Sequence, residues 1–444
     1  MNVVFISIDT LRADHLSCYG YHRLTSPRID HLAAQGVVFE ECFSPHIPTH
    51  PGYTTTFTGK DVMSHQIVTQ GGAVEPPAGV RMLAELMREA GYFTAAADNM
   101  GRWFNLGYDV YQSFSWSTDP KGAWRKGEAV NQVALPILEQ CLAQARPFFM
   151  FVHYWDPHTP YLPPPPFDRM FWVGDERDES NHSMDPVFAF EPFKYYFLQW
   201  MGEVRDIRFP AAQYDAEIAY VDTCLSHVLE RIDTSGKADQ TLVILHSDHG
   251  EELDEHAMWF DHHGLYDTNL HVPFIMRCPG RLPAGLRLKG FVRTIDMAPT
   301  ILDLIGRADL AERENMHGQS MLPLIDKRSR AGTCRELHCT ECAWQRKRAL
   351  RTRQWKFIQA LEPDSHGTPM RELYDLRADP GEHHNIAEQH PDTARRLERR
   401  LMRWARRRAK ETGLPDPIET QSITLRQIGK METAVPTDQK LTEE

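Results

Sequence analysis

Five short apolar runs, each followed by polar residues and separated by segments of helical spacing, constrain this chain more than any other feature. They cover residues 3–8, 93–97, 148–153, 242–246 and 273–277. Apolar runs of this length without polar alternation suit strands covered on both faces, as in a parallel sheet. Between them, residues 80–90, 126–145, 211–232 and 294–304 repeat apolar side chains at helical intervals. The alternation predicts an α/β fold: a doubly wound, mostly parallel sheet flanked by helices.

At 444 residues the chain is long enough for one large domain and a smaller one. We expect the large one to span residues 1–330. Within it, Pro163 to Pro166 and the aromatic-rich stretch that follows interrupt the alternation. Trp172, Phe188, Phe190, Phe193, Tyr195, Tyr196, Phe197 and Trp200 carry too much apolar area to stay wet. Residues 163–210 therefore read as an insertion that caps a site or packs against a second subunit. Near residue 335 the texture changes to short strand-like pieces at 349–351, 356–360 and 373–376, a turn at Asp379-Pro380-Gly381, and a basic helix. Residues 331–414 read as a small C-terminal α+β subdomain with an antiparallel sheet, and 415–444 as a tail or oligomerisation arm. A homo-oligomer is expected.

The net charge of -12 argues against a nucleic-acid partner, which needs a basic face. The basic run Arg395, Arg396, Arg399, Arg400, Arg403, Arg406, Arg407, Arg408 reads as the wet side of a helix whose other side carries Leu397, Leu401 and Trp404. Residues 1–8 lack a basic segment before an apolar one, and nowhere do about 18–20 apolar residues run together, so no membrane partner and a cytoplasmic location are expected. Eight scattered cysteines suit reduced thiols. Cys334, Cys339 and Cys342 cluster around His338, but without a second spaced pair they read as free thiols in preference to a structural zinc site.

In open parallel sheets ligands bind beyond the carboxyl ends of the strands, so polar residues that follow apolar runs are the candidates. Asp9-Thr10 follows the first run, and Asp248-His249 follows residues 242–247. An aspartate from one strand end and an Asp-His pair from another supply oxygen and nitrogen ligands for a divalent cation, zinc or manganese first and calcium next. One ion is expected. Asp156, His158, His262 and His263 offer a second site or, the preferred reading, contacts to substrate. The proline-stiffened loop at residues 44–53 carries Thr49 at a helix start, and taken alone Thr49 reads as an N-cap. Imidazole clusters at residues 153–158 and 261–263 complete the set.

These segments, in this order, resemble the sulfatase branch of the alkaline phosphatase superfamily over nearly the whole chain. Ile8-Asp9-Thr10-Leu11-Arg12-Ala13-Asp14-His15 is similar to its metal-binding start, and Asp248-His249-Gly250 with His262, Tyr266 and Val272-Pro273 to its second metal segment. Glu372-Leu373-Tyr374-Asp375-Leu376, then Asp379-Pro380-Gly381-Glu382 and Asn385, is similar to its C-terminal motif. Sulfatases carry Cys or Ser in a C/S-x-P-x-R motif, oxidised to formylglycine. Here Thr49-His50-Pro51-Gly52-Tyr53 stands at that place, so formylglycine is excluded and Tyr53 replaces the arginine. In Gly101-Arg102-Trp103-Phe104-Asn105-Leu106-Gly107 the family's lysine is Arg102 and its histidine is missing. Thr10 replaces a second aspartate, and His262 another lysine.

The resemblance implies a metal-dependent hydrolase in which Asp9, Asp248, His249 and Thr49 hold the cation and Thr49 is the nucleophile. His158 would protonate the leaving oxygen and His262 stabilise the transferring group. Arg102, Asn105, Tyr53 and His263 would contact substrate. A formylglycine hydrate expels sulfate by collapsing to the aldehyde; a threonine ester has no such exit and needs water to attack the central atom. That favours phosphorus, in a small-molecule phosphodiester or phosphonate monoester. The rival readings are a sulfatase working without formylglycine and a catalytically silent binding protein that kept the fold.

Overall fold

The computed structural model describes residues 1–119, 122–329 and 331–426. Its central sheet has eight strands, in the order Leu286–Leu288, Val37–Phe39, Phe274–Arg277, Thr241–His246, Asn2–Ile8, Phe148–Tyr154, Phe93–Ala97 and Val110–Gln112. Asn2–Ile8 is buried along its whole length and pairs in parallel on both sides, Val4 opposite Met150 on one and opposite Val243 on the other. Its side chains alternate between two cores, as strand geometry requires. Val4, Ile6 and Ile8 face apolar residues of the helices Pro27–Ala34, Lys126–Leu142 and Arg208–Thr234. Val3 and Phe5 face those of Thr49–Thr58, Leu83–Glu89 and Met297–Leu304. The doubly wound reading is therefore met by a helical layer on each face.

The run at 273–277 departs from the parallel expectation. Phe274–Arg277 lies antiparallel both to Thr241–His246 and to Val37–Phe39. Only short turns, among them the single turn Asp267–Leu270, connect it to Thr241–His246. The 27 residues between the two strands hold no helix longer than one turn that could cross a face of the sheet, the usual form of a parallel connection. The strands Val37–Phe39 and Leu286–Leu288 escaped the sequence reading because three residues carry no usable period.

The C-terminal sheet runs Arg371–Asp375, Trp355–Ala360, Lys347–Arg351, Leu337–Glu341 and His46–Ile47. The first four are an antiparallel meander, but the fifth comes from the loop ahead of Thr49 and pairs in parallel, Thr340 with His46 and Glu341 with Ile47. The helix Pro391–Thr412 covers this sheet, burying Ala394, Leu397 and Leu401 against Leu350, Phe357 and Leu373. Most of its arginines are exposed. Arg408 instead reaches Asp61 Oδ2 at 2.8 Å and the ring of His317.

Residues 163–210 supply the helices Asp185–Ala189 and Lys194–Met201, and Val187, Phe193, Tyr196, Phe197 and Met201 join the main core. Much of the aromatic surface of the insertion is thus covered by its own chain. Of the segment read as a tail, residues 415–426 also pack inward: Ile418 is buried, Thr424 Oγ1 donates to Gln70 O, and Leu425 N donates to Ala343 O. Residues 427–444 lie outside the described residues. Among the described residues, no helix is long and apolar enough to cross a membrane. Cys339 and Cys342 are buried in two different apolar clusters.

If the basic helix is a structural element, its buried face carries the energy. Leu397→Ala is expected to cost about 2–5 kcal/mol, as for a fully buried leucine, whereas Arg399→Ala should stay within about 0.5 kcal/mol. Urea denaturation of both variants measures this. An unchanged midpoint for Leu397→Ala would remove the helix from the core.

Candidate active site

Asp9 and Asp248-His249 follow neighbouring parallel strands whose ends are level, since Ser7 pairs with His246. Asp9 N also donates to Tyr154 O at 2.9 Å, which fixes the chain as it leaves the sheet. The carboxylates of Asp9 and Asp248 and the imidazole of His249 are fully buried, with ligand atoms within 4.8 Å of one another. They form the only group of this kind among the described residues. Thr49 begins the helix Thr49–Thr58, with Oγ1 3.2 Å from His249 Nε2. Gly52 permits this approach: a Cβ there would lie 3.2 Å from Asp248 O. Within the buried run of threonines the hydroxyls of Thr54, Thr56 and Thr58 are satisfied by donating to the carbonyl four residues back.

Charge in this cluster is poorly matched. Asp9 Oδ1, both carboxylate oxygens of Asp248 and the hydroxyl of Thr10 are buried without a hydrogen-bond partner, an arrangement that costs free energy unless something compensates it. Burial and the neighbouring Asp9 push the Asp248 carboxyl up to about 7. His249 Nδ1 donates to Gly250 O at 2.9 Å, which leaves the Nε2 lone pair directed at the carboxylates, 3.3 Å from Asp248 Oδ2. Orphaned carboxylate oxygens, a free imidazole nitrogen and a hydroxyl are the donor set of a divalent cation, so the residues present fit one. Thr10, beside Asp9, adopts φ 56°, a strained value for a β-branched residue.

Asp9 Oδ2 is held from behind. His153 Nε2 lies 3.2 Å from it, and His153 Nδ1 lies 2.7 Å from Asp98 Oδ1. Burial opposes charge on both partners. Even so, the two carboxylates raise His153 to about 9, and the His153 hydrogen bond holds Asp9 below the usual carboxylate range. Neither Asp98 nor a role for His153 was read from the sequence. The signal was present, because Asp98 directly follows the strand Phe93–Ala97.

The imidazole of His262 stacks on His249 with ring centres 4.7 Å apart and lies 4.9 Å from that of His158. His158 Nδ1 donates to Thr159 O at 2.8 Å, leaving Nε2 free. Burial lowers both imidazoles, His262 to about 3. Asp9, Thr49, Asp248, His249, His158 and His262, drawn from five separate stretches of sequence, thus form one cluster. Arg102 lies near His50, the residue after Thr49: its charge, after burial, keeps His50 near 3, while its guanidinium covers the Trp103 ring at 4.3 Å and donates to Val74 O at 3.2 Å.

Of three further residues expected to contact substrate, two are engaged with protein partners and one is exposed. Tyr53 is fully buried and donates to Ser7 Oγ at 2.6 Å, so its hydroxyl is committed to the sheet. This follows from its position one helical turn along from Thr49, where the helix faces the core. Asn105 is exposed at the end of the turn Arg102–Asn105. The ring of His263 turns toward Phe193, Trp344 and His366, with Nε2 2.6 Å from His366 Nε2. Although adjacent in sequence, His262 and His263 thus have different surroundings.

Residues 1–307 match the Sulfatase family model, and residues 254–407 match that of the C-terminal region of N-sulphoglucosamine sulphohydrolase. Among curated relatives, N-acetylglucosamine-6-O-sulfatase of Bacteroides thetaiotaomicron is 24% identical, covering 87% of this chain and 82% of its own. The multifunctional alkaline phosphatase superfamily protein PehA of Trinickia caryophylli is also 24% identical, over 76% of this chain and 79% of its own. The crystal structure of phosphonate monoester hydrolase of Agrobacterium radiobacter superposes with a TM-score of 0.72 at 22% identity, covering 92% of this chain and 96% of its own. A family match over more than two thirds of the sequence, on a fold that gathers the expected metal ligands, makes this chain a member of the sulfatase family, within the alkaline phosphatase superfamily.

Proposed function

We propose that the protein hydrolyses a phosphate-type ester, a phosphodiester or phosphonate monoester, through a covalent ester on Thr49. The observation that carries the reading is the placement of Thr49 Oγ1 3.2 Å from His249 Nε2, beside the unpartnered oxygens of Asp9 and Asp248. A cation held by Asp9, Asp248, His249 and Thr49 would lower the pKa of the threonine hydroxyl and neutralise charge on the transferring group. Thr49 Oγ attacks phosphorus in line as the bond to the leaving oxygen breaks. His158 Nε2, free of other bonds, delivers a proton to that oxygen. Burial depresses His158, but an anionic substrate beside the ring favours its charged form, so binding itself prepares the acid. His262, and Arg102 beside His50, supply donors to the remaining oxygens. Water then attacks phosphorus, giving its proton to the now neutral His158, and the bond to Thr49 Oγ breaks to release the threonine oxygen.

Phosphorus is favoured over sulfur by the nucleophile, since a threonine ester has no aldehyde to collapse to. Relatives named as a phosphonate monoester hydrolase and a multifunctional superfamily protein lend support to this choice. Sulfatase relatives keep sulfate esters as the control substrate.

Three measurements decide it. Side-by-side assays should give faster turnover of an aryl phosphodiester or aryl phosphonate than of an aryl sulfate, and a preference for the sulfate would end the phosphorus reading. Thr49→Ala should lower kcat by at least about 10³-fold, as loss of a nucleophile does, with metal content close to wild type; substantial turnover in that variant removes the covalent role. Zinc or manganese at about 100 times its Kd should stabilise the protein by about 2.7 kcal/mol in a thermal shift series, and Asp248→Ala should abolish the shift. Equal stabilisation of that variant would place the cation elsewhere.

A further inference from the structure

We propose that Lys126 is a positioning residue for His158: its ammonium, held between Asp156 and Glu217, fixes the backbone that presents the imidazole to the leaving oxygen. The inference rests on the reading of His158 as the proton donor.

Lys126 begins the helix Lys126–Leu142 and is 2% exposed. Its Nζ donates to His158 O at 2.7 Å and lies 3.1 Å from Glu217 Oε2 and 3.7 Å from Asp156 Oδ1. Both carboxylates are fully buried. Glu217, from the helix Arg208–Thr234, also accepts from Leu162 N at 2.8 Å. The segment 156–162 is therefore gripped at three points, by Asp156, the His158 carbonyl and Leu162 N, all through one ammonium and one carboxylate. The helix start is pressed tightly onto this segment, since a Cβ on Gly127 would meet Asp156 Oδ2 at 3.3 Å.

A lysine that merely neutralised two acids would have no need of the His158 carbonyl. The observed bond fixes the peptide of the residue whose ring must reach the substrate. With His158 Nδ1 committed to Thr159 O, a rotation of this peptide would swing the ring away from His262, 4.9 Å off. Angular errors of that kind are costly in proton transfer, where donor and acceptor must meet within hydrogen-bond reach.

The test compares two esters of the class the enzyme turns over, one releasing 4-nitrophenol and one releasing a simple alkyl alcohol. A nitrophenolate leaves without a proton, whereas an alkoxide needs one. Lys126→Met is expected to lower kcat about 100-fold on the alkyl ester and less than about tenfold on the nitrophenyl ester, with KM little changed. Adding His158→Ala to it should cause no further loss on the alkyl ester, and Lys126→Arg should recover part of the activity. Equal losses on both esters, or additive losses in the double variant, would overturn the proposal. Should Lys126→Met not fold, Glu217→Gln keeps the ammonium and loosens one anchor, and the same selective loss at smaller size is expected; a non-selective effect counts against it. His158→Ala alone separates the two readings. A loss equal on both esters removes the proton-donor role and this inference with it, while a selective loss there without one in the Lys126 variants removes only the inference.

Discussion

Three adjacent parallel strands, Phe148–Tyr154, Asn2–Ile8 and Thr241–His246, end at the same level, and the metal-ligand set Asp9, Asp248 and His249 hangs from that edge. Parallel pairing forces chain segments far apart in sequence to finish side by side, so Asp9, His153 and Asp248 emerge together although they lie in three distant stretches. The strands are apolar on both faces and buried throughout, which makes the edge rigid. Side chains anchored on such an edge hold their geometry better than side chains on loops, and a cation or a phosphoryl group demands that precision.

The second constraint is electrostatic. Asp9, Asp98, Asp156, Glu217, Asp248 and Glu251 are all fully buried around or behind this edge. So many acids cannot all remain charged without partners. The chain answers in different ways. His153 sits between Asp98 and Asp9, and Lys126 between Asp156 and Glu217. Asp9, Asp248 and Glu251 keep oxygens without a hydrogen-bond donor; of these, Asp9 and Asp248 share ligand distance with the imidazole of His249.

The C-terminal sheet matters for a related reason. By taking His46–Ile47 as its edge strand, it fixes the entry to the helix that carries Thr49. The residues after Thr420 close over the same region through Gln70, whose side chain accepts from His50 N. The nucleophile is thus positioned by segments from both ends of the described chain.

Much of this could be read in advance. Uninterrupted apolar runs fix strands and their burial, and the polar residue after each run marks where chemistry gathers; Asp9, Asp248 and His249 follow from that rule, and Thr49 from the family resemblance. Side-chain direction could not be read. Whether His262 or His263 faces the cluster, whether Tyr53 points at substrate or at Ser7, and whether 273–277 runs with or against its neighbours depend on contacts between residues well separated in sequence. A linear pattern specifies which residues prefer the interior. It does not specify which interior they meet, because that is set by packing between elements, and so Asp98, Lys126 and Glu217 acquired their roles only when the helices closed on the sheet.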